Sequence, residues 1–219
     1  MNWSWRAAFD SLPLLLKGLL VTVELTLLGS ALAYALGLVL AILRRARIPV
    51  LSQAIWLFIE FVRSTPLLIQ VFVLFWLVPP VTGFKMSAFV TGVVALGVHY
   101  ATYAAEVYRA GIEAVPKGQW EAAVALNLPR ARTWRAVILP QAIPRVLPAL
   151  GNYTISMFKE TPLLLAIGVL DVLYQAKAVG ADTFRVVEPY TMAGVLFLLV
   201  SLPASILVRR LERRRAHSV

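Results

Sequence analysis

Two short runs in this chain set charge, hydroxyl and proline side by side within apolar sequence, and residues of these types recognise charged solutes. In the first, Glu60 and Arg63 stand three residues apart, so on a helix they share a face. Ser64 and Thr65 follow, then Pro66, which has no amide to donate and so can break a helix and free a backbone carbonyl. Gln70 comes one turn later. In the second run, Lys159, Glu160 and Thr161 precede Pro162. Helices broken near the middle of a membrane present backbone dipoles and side chains to a solute. Arg63 suits a carboxylate, Ser64 and Thr65 can add hydrogen bonds, and Glu60 and Glu160 suit a cationic group. Gln70 and Thr161 complete the candidate binding set. The competing reading is a Glu60–Arg63 pair that satisfies itself and meets no ligand, because buried ion pairs are often structural.

The remaining polar residues point away from catalysis. Glu24 reads as a structural hydrogen-bonding residue, although any charge within a span is a functional candidate by default. His99, beside Tyr100, reads as a satisfied core histidine rather than a proton relay. There is no cysteine, which excludes disulfides, thiolate metal sites and a cysteine nucleophile. Two histidines, His99 and His217, are too few for a histidine-built metal centre. No P-loop, nucleophile elbow, HExxH run or kinase set is present. Nucleotide chemistry must therefore come from a partner.

The elements that position these residues follow from composition. Of 219 residues, 60% are hydrophobic and only 15% charged, too little polar surface for a soluble domain of this length. Five segments reach the roughly 20 mostly apolar residues that a bilayer demands. They run over about 12–43, 49–78, 88–108, 137–158 and 190–208. The first is too long for a signal-peptide core, and no small-residue cleavage site follows it. The chain reads as one membrane domain over 1–219, without internal repeat or linker.

A net charge of +10 would raise the question of nucleic acid in a soluble protein. Here the basic residues fall between and after the apolar stretches, without aromatic interleaving, so no nucleic-acid partner is expected. Arg44, Arg45 and Arg47, then Arg109 to Arg135, then the tail after Val208 hold more Lys and Arg than the intervening connections. The positive-inside rule places those three parts in the cytoplasm, with the N-terminus outside and the C-terminus inside. The tail reads as a stop-transfer anchor. Trp3, Trp5 and Trp120 read as interfacial anchors, and Trp56 and Trp76 as packing residues. On the outer side, Leu163 to Leu173 is apolar but too short to span and reads as a re-entrant or interfacial helix.

The loop over 109–135 is the second functional element. Gln119 to Leu126 is a good helix former. Asn127 tolerates positive φ, and Pro129 stops the first helix. Arg132 to Leu139 predicts a second short helix, followed by Pro140 and Pro144. A helix, a sharp turn and a helix at the membrane face can dock in a partner's groove and act as a lever. Periodicity alone equally allows an ordinary amphipathic connection.

Glu121-Ala122-Ala123 with Leu139-Pro140 resembles the EAA loop of ATP-binding-cassette importer permeases. The runs Phe58 to Gln70, Ala105 to Trp120 and Phe158 to Leu164 are similar to the polar amino-acid branch of that family. The resemblance covers about residues 12–210. Asn127 departs from the family's usual glycine, and both residues reach positive φ. Ala125 to Pro129, with Asp182-Thr183-Phe184 and Glu188-Pro189, further resembles ectoine/hydroxyectoine permease subunits.

The resemblance implies an all-α integral membrane fold of the type I importer permease kind. It implies five transmembrane helices, a cytoplasmic coupling helix and a place in the bacterial plasma membrane. The coupling set it implies is Gly118, Glu121, Ala122, Ala123, Leu126 and Asn127. The implied partners are a second permease subunit, identical or homologous, two ATPase subunits that hold ATP and Mg, and an extracytoplasmic solute-binding protein, with lipid around the spans. No cofactor is expected on this chain itself. The solute would be a polar amino acid or a related zwitterion such as ectoine. An ion-gradient-driven secondary transporter is the alternative, and it leaves the coupling loop without a purpose.

Overall fold

The computed structural model describes residues 3–46 and 48–216, with side chains described as far as Arg210. Arg47 and His217 lie outside the described residues, as do the side chains of Arg213, Arg214 and Arg215. All the regular structure among the described residues is helical. Among the described residues three helices are long and apolar enough to cross a membrane singly, and the number reaches five when each of two bent pairs is taken as one span.

Helix α1 (Trp5–Arg44) is capped by Ser4, whose side chain accepts from the Ala7 amide. At 40 residues it is about 60 Å long and overruns the bilayer. Its buried residues recur every three or four positions and are mostly small, among them Gly18, Gly29, Ala33 and Gly37. Small residues let helix backbones approach closely where water supplies no driving force. A Cβ on Gly37 would lie 2.7 Å from the Ala104 Cβ and 2.8 Å from the Ala101 carbonyl oxygen of α5 (Ala88–Glu113). Helix α5 is the most enclosed of the three single spans.

The second span is broken. Helix α2 (Pro49–Arg63) ends at Ser64 and turns through 104° into α3 (Leu67–Phe72). A π-helical segment, Val73–Leu77, follows, then α4 (Val78–Thr82), closed by Gly83 at φ 75. The break falls at Pro66, as its missing amide predicts.

Helix α6 (Lys117–Ala125) ends in a Schellman turn: the Leu128 amide donates to the Ala123 carbonyl and the Asn127 amide to the Val124 carbonyl. Asn127 takes φ 48 there. The expected second short helix is instead the root of a longer one. The single turn α7 (Arg130–Arg132) passes through a π segment, Thr133–Ile138, directly into α8 (Leu139–Glu160). Pro140, Pro144 and Pro148 do not end it. Spaced four apart, they place their missing amides along one stripe of the helix, and the π segment just before them takes up the change in register.

The apolar stretch expected as one re-entrant helix from Leu163 to Leu173 divides at Gly168, which has φ 81. A 3-10 segment, Thr161–Ile167, precedes the division, and α9 (Val172–Thr183) follows it with a bend of 48°. Leu164 and Ile167 plug into a core with Leu25, Leu96, Val71 and Met157, tying that segment to α1, α3, α5 and α8. Helix α10 (Val187–Ala216) closes the bundle. Glu188 on its first turn pairs with Arg185 at 2.7 Å and accepts from the Ser4 amide at 3.1 Å, tying the start of α1 to the start of α10. Trp56 and Trp76, expected to pack, are exposed in this chain.

The approach of α1 to α5 sets the first prediction. Gly37→Ala forces contacts that real Cβ atoms do not make and destabilises the detergent-solubilised protein by about 1–3 kcal/mol. Gly194→Ala, where the added methyl meets nothing, leaves the melting temperature within about 2 °C. A thermal melt of the two variants side by side checks the difference.

Candidate functional site

The break in the second span is held by Gln70. Pro66 cannot bond the carbonyl four residues earlier, that of Val62, and the Gln70 amide nitrogen donates to that oxygen at 2.7 Å. The same nitrogen donates to the Thr65 carbonyl at 3.1 Å and lies 2.8 Å from the Thr65 hydroxyl. Its Oε1 sits 3.1 Å from Nδ1 of His99 on α5. Gln70 was expected in the binding set, and its position makes it a pin between α2, α3 and α5. His99 is the paired core histidine that the sequence suggests.

From this pin a connected cluster spreads toward the second proline break. Arg63, the last residue of α2, lies over the Tyr103 ring, 5.1 Å from its centroid. Tyr103 packs on His99 and on Tyr153 of α8, with centroids 5.3 and 5.6 Å away. Tyr153 packs on Tyr100 at 5.9 Å, and Tyr100 faces both Ser156 and Glu160. The Glu160 atom Oε2 is buried without a hydrogen-bond partner. Arg63 and Glu160, far apart in sequence, are thus opposite ends of one patch whose middle is tyrosine. A guanidinium at one end and an under-bonded carboxyl at the other, joined by aromatic faces, can recognise a small molecule carrying both charges.

The other expected binding residues occupy different positions. Glu60 pairs loosely with Arg63 at 3.7 Å, and both side chains are more than a third exposed. Ser64 is exposed beside them. The Thr65 hydroxyl donates to the Phe61 and Val62 carbonyls, each at 3.1 Å, and so serves the helix end. Thr161 is fully buried and donates to the Phe158 carbonyl at 2.9 Å, which makes it part of the second break. Glu24 lies on the exposed face of α1 and outside the cluster. Tyr103 and Tyr153 were missed by sequence reasoning. The signals for them were the three-residue spacing of Tyr100 and Tyr103 on α5 and the seven-residue spacing of Tyr153 and Glu160 on α8, each of which aligns two side chains on one helix face.

A separate surface forms at the arm. Glu121 and Ala122 are exposed on α6, and a Cβ on Gly118 would meet nothing. Val124 and Leu126 are 74% and 72% exposed, an apolar pair beyond the reach of the arm's own core. Ala123, included in the expected docking set, is buried and packs α6 back onto the protein. Trp120, expected as an interfacial anchor, meets Trp134 edge to face at 5.3 Å within the arm. Nearby, Glu106 of α5 pairs with both Arg44 and Arg109, tying the ends of α1 and α5. Among the described residues no group of three or more His, Cys, Asp or Glu side chains could hold a metal ion.

The family described as binding-protein-dependent transport system inner membrane component matches residues 11–217. A probable amino-acid ABC transporter permease protein of Sinorhizobium fredii is 46% identical, with 95% of this chain and 90% of that protein covered. The arginine transport system permease protein of Bacillus subtilis is 33% identical, with 98% of each covered. Among solved structures, a crystal structure of an amino acid ABC transporter with histidines superimposes with a TM-score of 0.92 at 36% identity. The match covers 98% of this chain and 100% of that one.

The helix break sets the prediction here. Gln70→Leu leaves the Val62 and Thr65 carbonyls without the amide donor and removes the partner of His99. It lowers stability by about 1–3 kcal/mol. His99→Ala, which leaves the Gln70 amide in place, costs less than Gln70→Leu in the same melt.

Proposed function

The chain belongs to the family of binding-protein-dependent transport system inner membrane components, and on that footing we propose how it recognises its solute and takes up its energy. It is a multi-pass inner-membrane permease subunit of an ABC importer for polar amino acids. The solute is a small zwitterion held across the tyrosine patch. Arg63 meets its carboxylate, with Ser64 adding a hydrogen bond, and Glu160 meets its cationic end. The loose Glu60–Arg63 contact is displaced when the carboxylate arrives, leaving Glu60 to share the cation.

The observation that carries this reading is the buried, unpartnered Oε2 of Glu160 at the far end of the patch from Arg63. An under-bonded carboxyl oxygen is costly unless a ligand donates to it. The relatives described above are amino-acid permeases by name, one of them for arginine. A cyclic zwitterion such as ectoine presents the same two charges, so it belongs in the test.

Energy enters at α6. The exposed residues of α6 and its C-cap, Glu121, Ala122 and Leu126, with Val124 at the edge, form the surface that docks on a cytoplasmic ATPase in the manner of an EAA loop. ATP and Mg are held by two such ATPases, and a second permease subunit completes the path, because five helices around a central site do not enclose one. The basic residues at the arm end support a cytoplasmic arm under the positive-inside rule, and the proposed orientation has the N-terminus and the solute-binding protein outside.

The deciding experiment reconstitutes the complex with its binding protein in liposomes. ATP hydrolysis is measured against glutamate, glutamine, arginine, histidine and ectoine. Stimulation by one of them identifies the substrate, and hydrolysis indifferent to all of them sinks the zwitterion assignment. Glu160→Gln raises the concentration of that compound needed for half-maximal uptake by about 10-fold or more, the worth of one charged hydrogen bond. If Glu160→Gln and Glu60→Gln both retain wild-type uptake at normal expression, the patch is not the site. Leu126→Asp weakens capture of the ATPase subunits by about 10-fold or more in a titration of the solubilised permease, as loss of a docking anchor should.

A further inference from the structure

Helix α6 has nine residues, too few to persist alone, so its position depends on what it packs against. Ala123 and Trp120 seat it on the arm, where Trp120 meets Trp134 at 5.3 Å and an interplanar angle of 82°. A third group joins this pair from a distant part of the chain. The Arg45 guanidinium carbon lies 5.8 Å from the Trp120 centroid and 5.3 Å from the Trp134 centroid. Arg45, Trp120 and Trp134 line one cleft beneath the arm, together with Val124 and Leu128.

The backbone of Arg45 is fixed to α1. It is the C-cap residue of that helix, and its amide donates to the Ala41, Ile42 and Leu43 carbonyls. Helix α1 is one continuous element from there to Trp5. It is closely seated on the helices that carry the tyrosine patch. Gly37 meets Ala101 and Ala104 of α5, and Tyr34 approaches Thr154 of α8 and donates to the Leu150 carbonyl. Displacement of α6 therefore has a mechanical route besides its two covalent ones, back through residues 114–116 into α5 and forward through α7 into α8.

We propose that Arg45, clasped by Trp120 and Trp134, is a cation–π joint through which α6 moves α1. The ATPase stroke reaches the patch covalently through α5, which bears Tyr100 and Tyr103, and through α8, which bears Tyr153 and Glu160, and the joint adds α1, seated against both, as a third route. This inference rests on the importer reading above. Arginine suits the role because its flat, delocalised cation spreads over aromatic faces, whereas the lysine ammonium is a compact and strongly hydrated point. Arg45 is a positioning residue, since it touches no substrate.

The test reads the amount of solute imported per ATP hydrolysed by the complex in liposomes, with arginine, histidine and glutamine each as the probe. One exposed cation–π contact is worth about 2- to 5-fold in an equilibrium. Arg45→Ala should lower the ratio by about 3-fold or more, Trp134→Ala should do likewise, and Arg45→Lys should recover part of the loss. The double variant should be no worse than the poorer single one, because both remove the same joint. A wild-type ratio in Arg45→Ala, or losses that multiply in the double variant, overturns the proposal.

A second readout does not depend on transport. The chain has no cysteine, so Gln53→Cys and Ala125→Cys accept spin labels at α2 and α6 alone. Arg45→Ala should broaden the distance distribution between the labels in the assembled complex, and an unchanged distribution overturns the joint. If the wild-type complex hydrolyses ATP without stimulation by any probe, the importer reading fails while the distances still judge the joint.

Discussion

Pro66 removes one amide from a helix that lies in a medium without water. In hydrocarbon an unbonded backbone carbonyl costs several kcal/mol, so a break survives only where another donor replaces the lost one. Gln70 and Thr65 supply it together: the Gln70 amide and the Thr65 hydroxyl both donate to the Val62 carbonyl, and Gln70 also reaches across to the Thr65 carbonyl. Because the replacement comes from side chains rather than the helix itself, the chain can turn through 104° and still bond its backbone. The turn leaves Arg63 at the end of α2, over Tyr103 rather than facing lipid. The proposed recognition patch thus depends on a chemically satisfied break, and His99 matters because it holds the other end of the same amide.

The second break is built differently and gives a different kind of site. At Thr161 and Pro162 the helix tightens into a 3-10 segment, with the Thr161 hydroxyl spent on the Phe158 carbonyl. Leu164 and Ile167 then anchor that segment in the central core. The backbone is tied down but the Glu160 carboxyl is left with an unbonded oxygen. One break supplies a cation whose partner is loose, and the other supplies a carboxyl whose bonding is incomplete. Between them, tyrosines from α5 and α8 give a surface that is apolar on its faces and polar at its hydroxyls.

Much of this was legible in the sequence because it depends on local chemistry. Pro66 announces a break by lacking an amide, and Asn127 announces a left-handed turn by tolerating positive φ. The five apolar stretches announce spans by length. Sequence reasoning failed where the deciding partner is remote. Pro140 and Pro144 look like the end of the arm's short helix when read singly, and only the π segment before them shows that the arm runs on into the span expected over 137–158. Ala123 resembles its exposed neighbour Ala122 in sequence, yet it faces the arm, because the helix turn decides which alanine is buried. Gln70 and Thr65 have the polarity of ligand contacts, and nothing local reveals that they serve the backbone. Tyr103 and Tyr153 are separated by 50 positions, and their 5.6 Å contact belongs to the packing of α5 on α8.

The arm and the patch are two ends of one mechanical object. From Arg130 through Glu160 the chain stays helical, about 45 Å of rise, with Trp134 near one end and Tyr153 and Glu160 at the other. A helix of that length transmits rotation and translation better than it transmits bending, except where its hydrogen-bond ladder is weakened. The ladder is weakest from the π segment at Thr133–Ile138 through Pro148. Bending is therefore concentrated between the arm and Pro148, and the segment beyond it, which carries the tyrosine and the carboxyl, moves as a rigid unit. The patch then opens or closes by displacement of whole faces, while its internal geometry is kept. On the proposed reading, such a device releases its solute without dismantling the groups that recognise it.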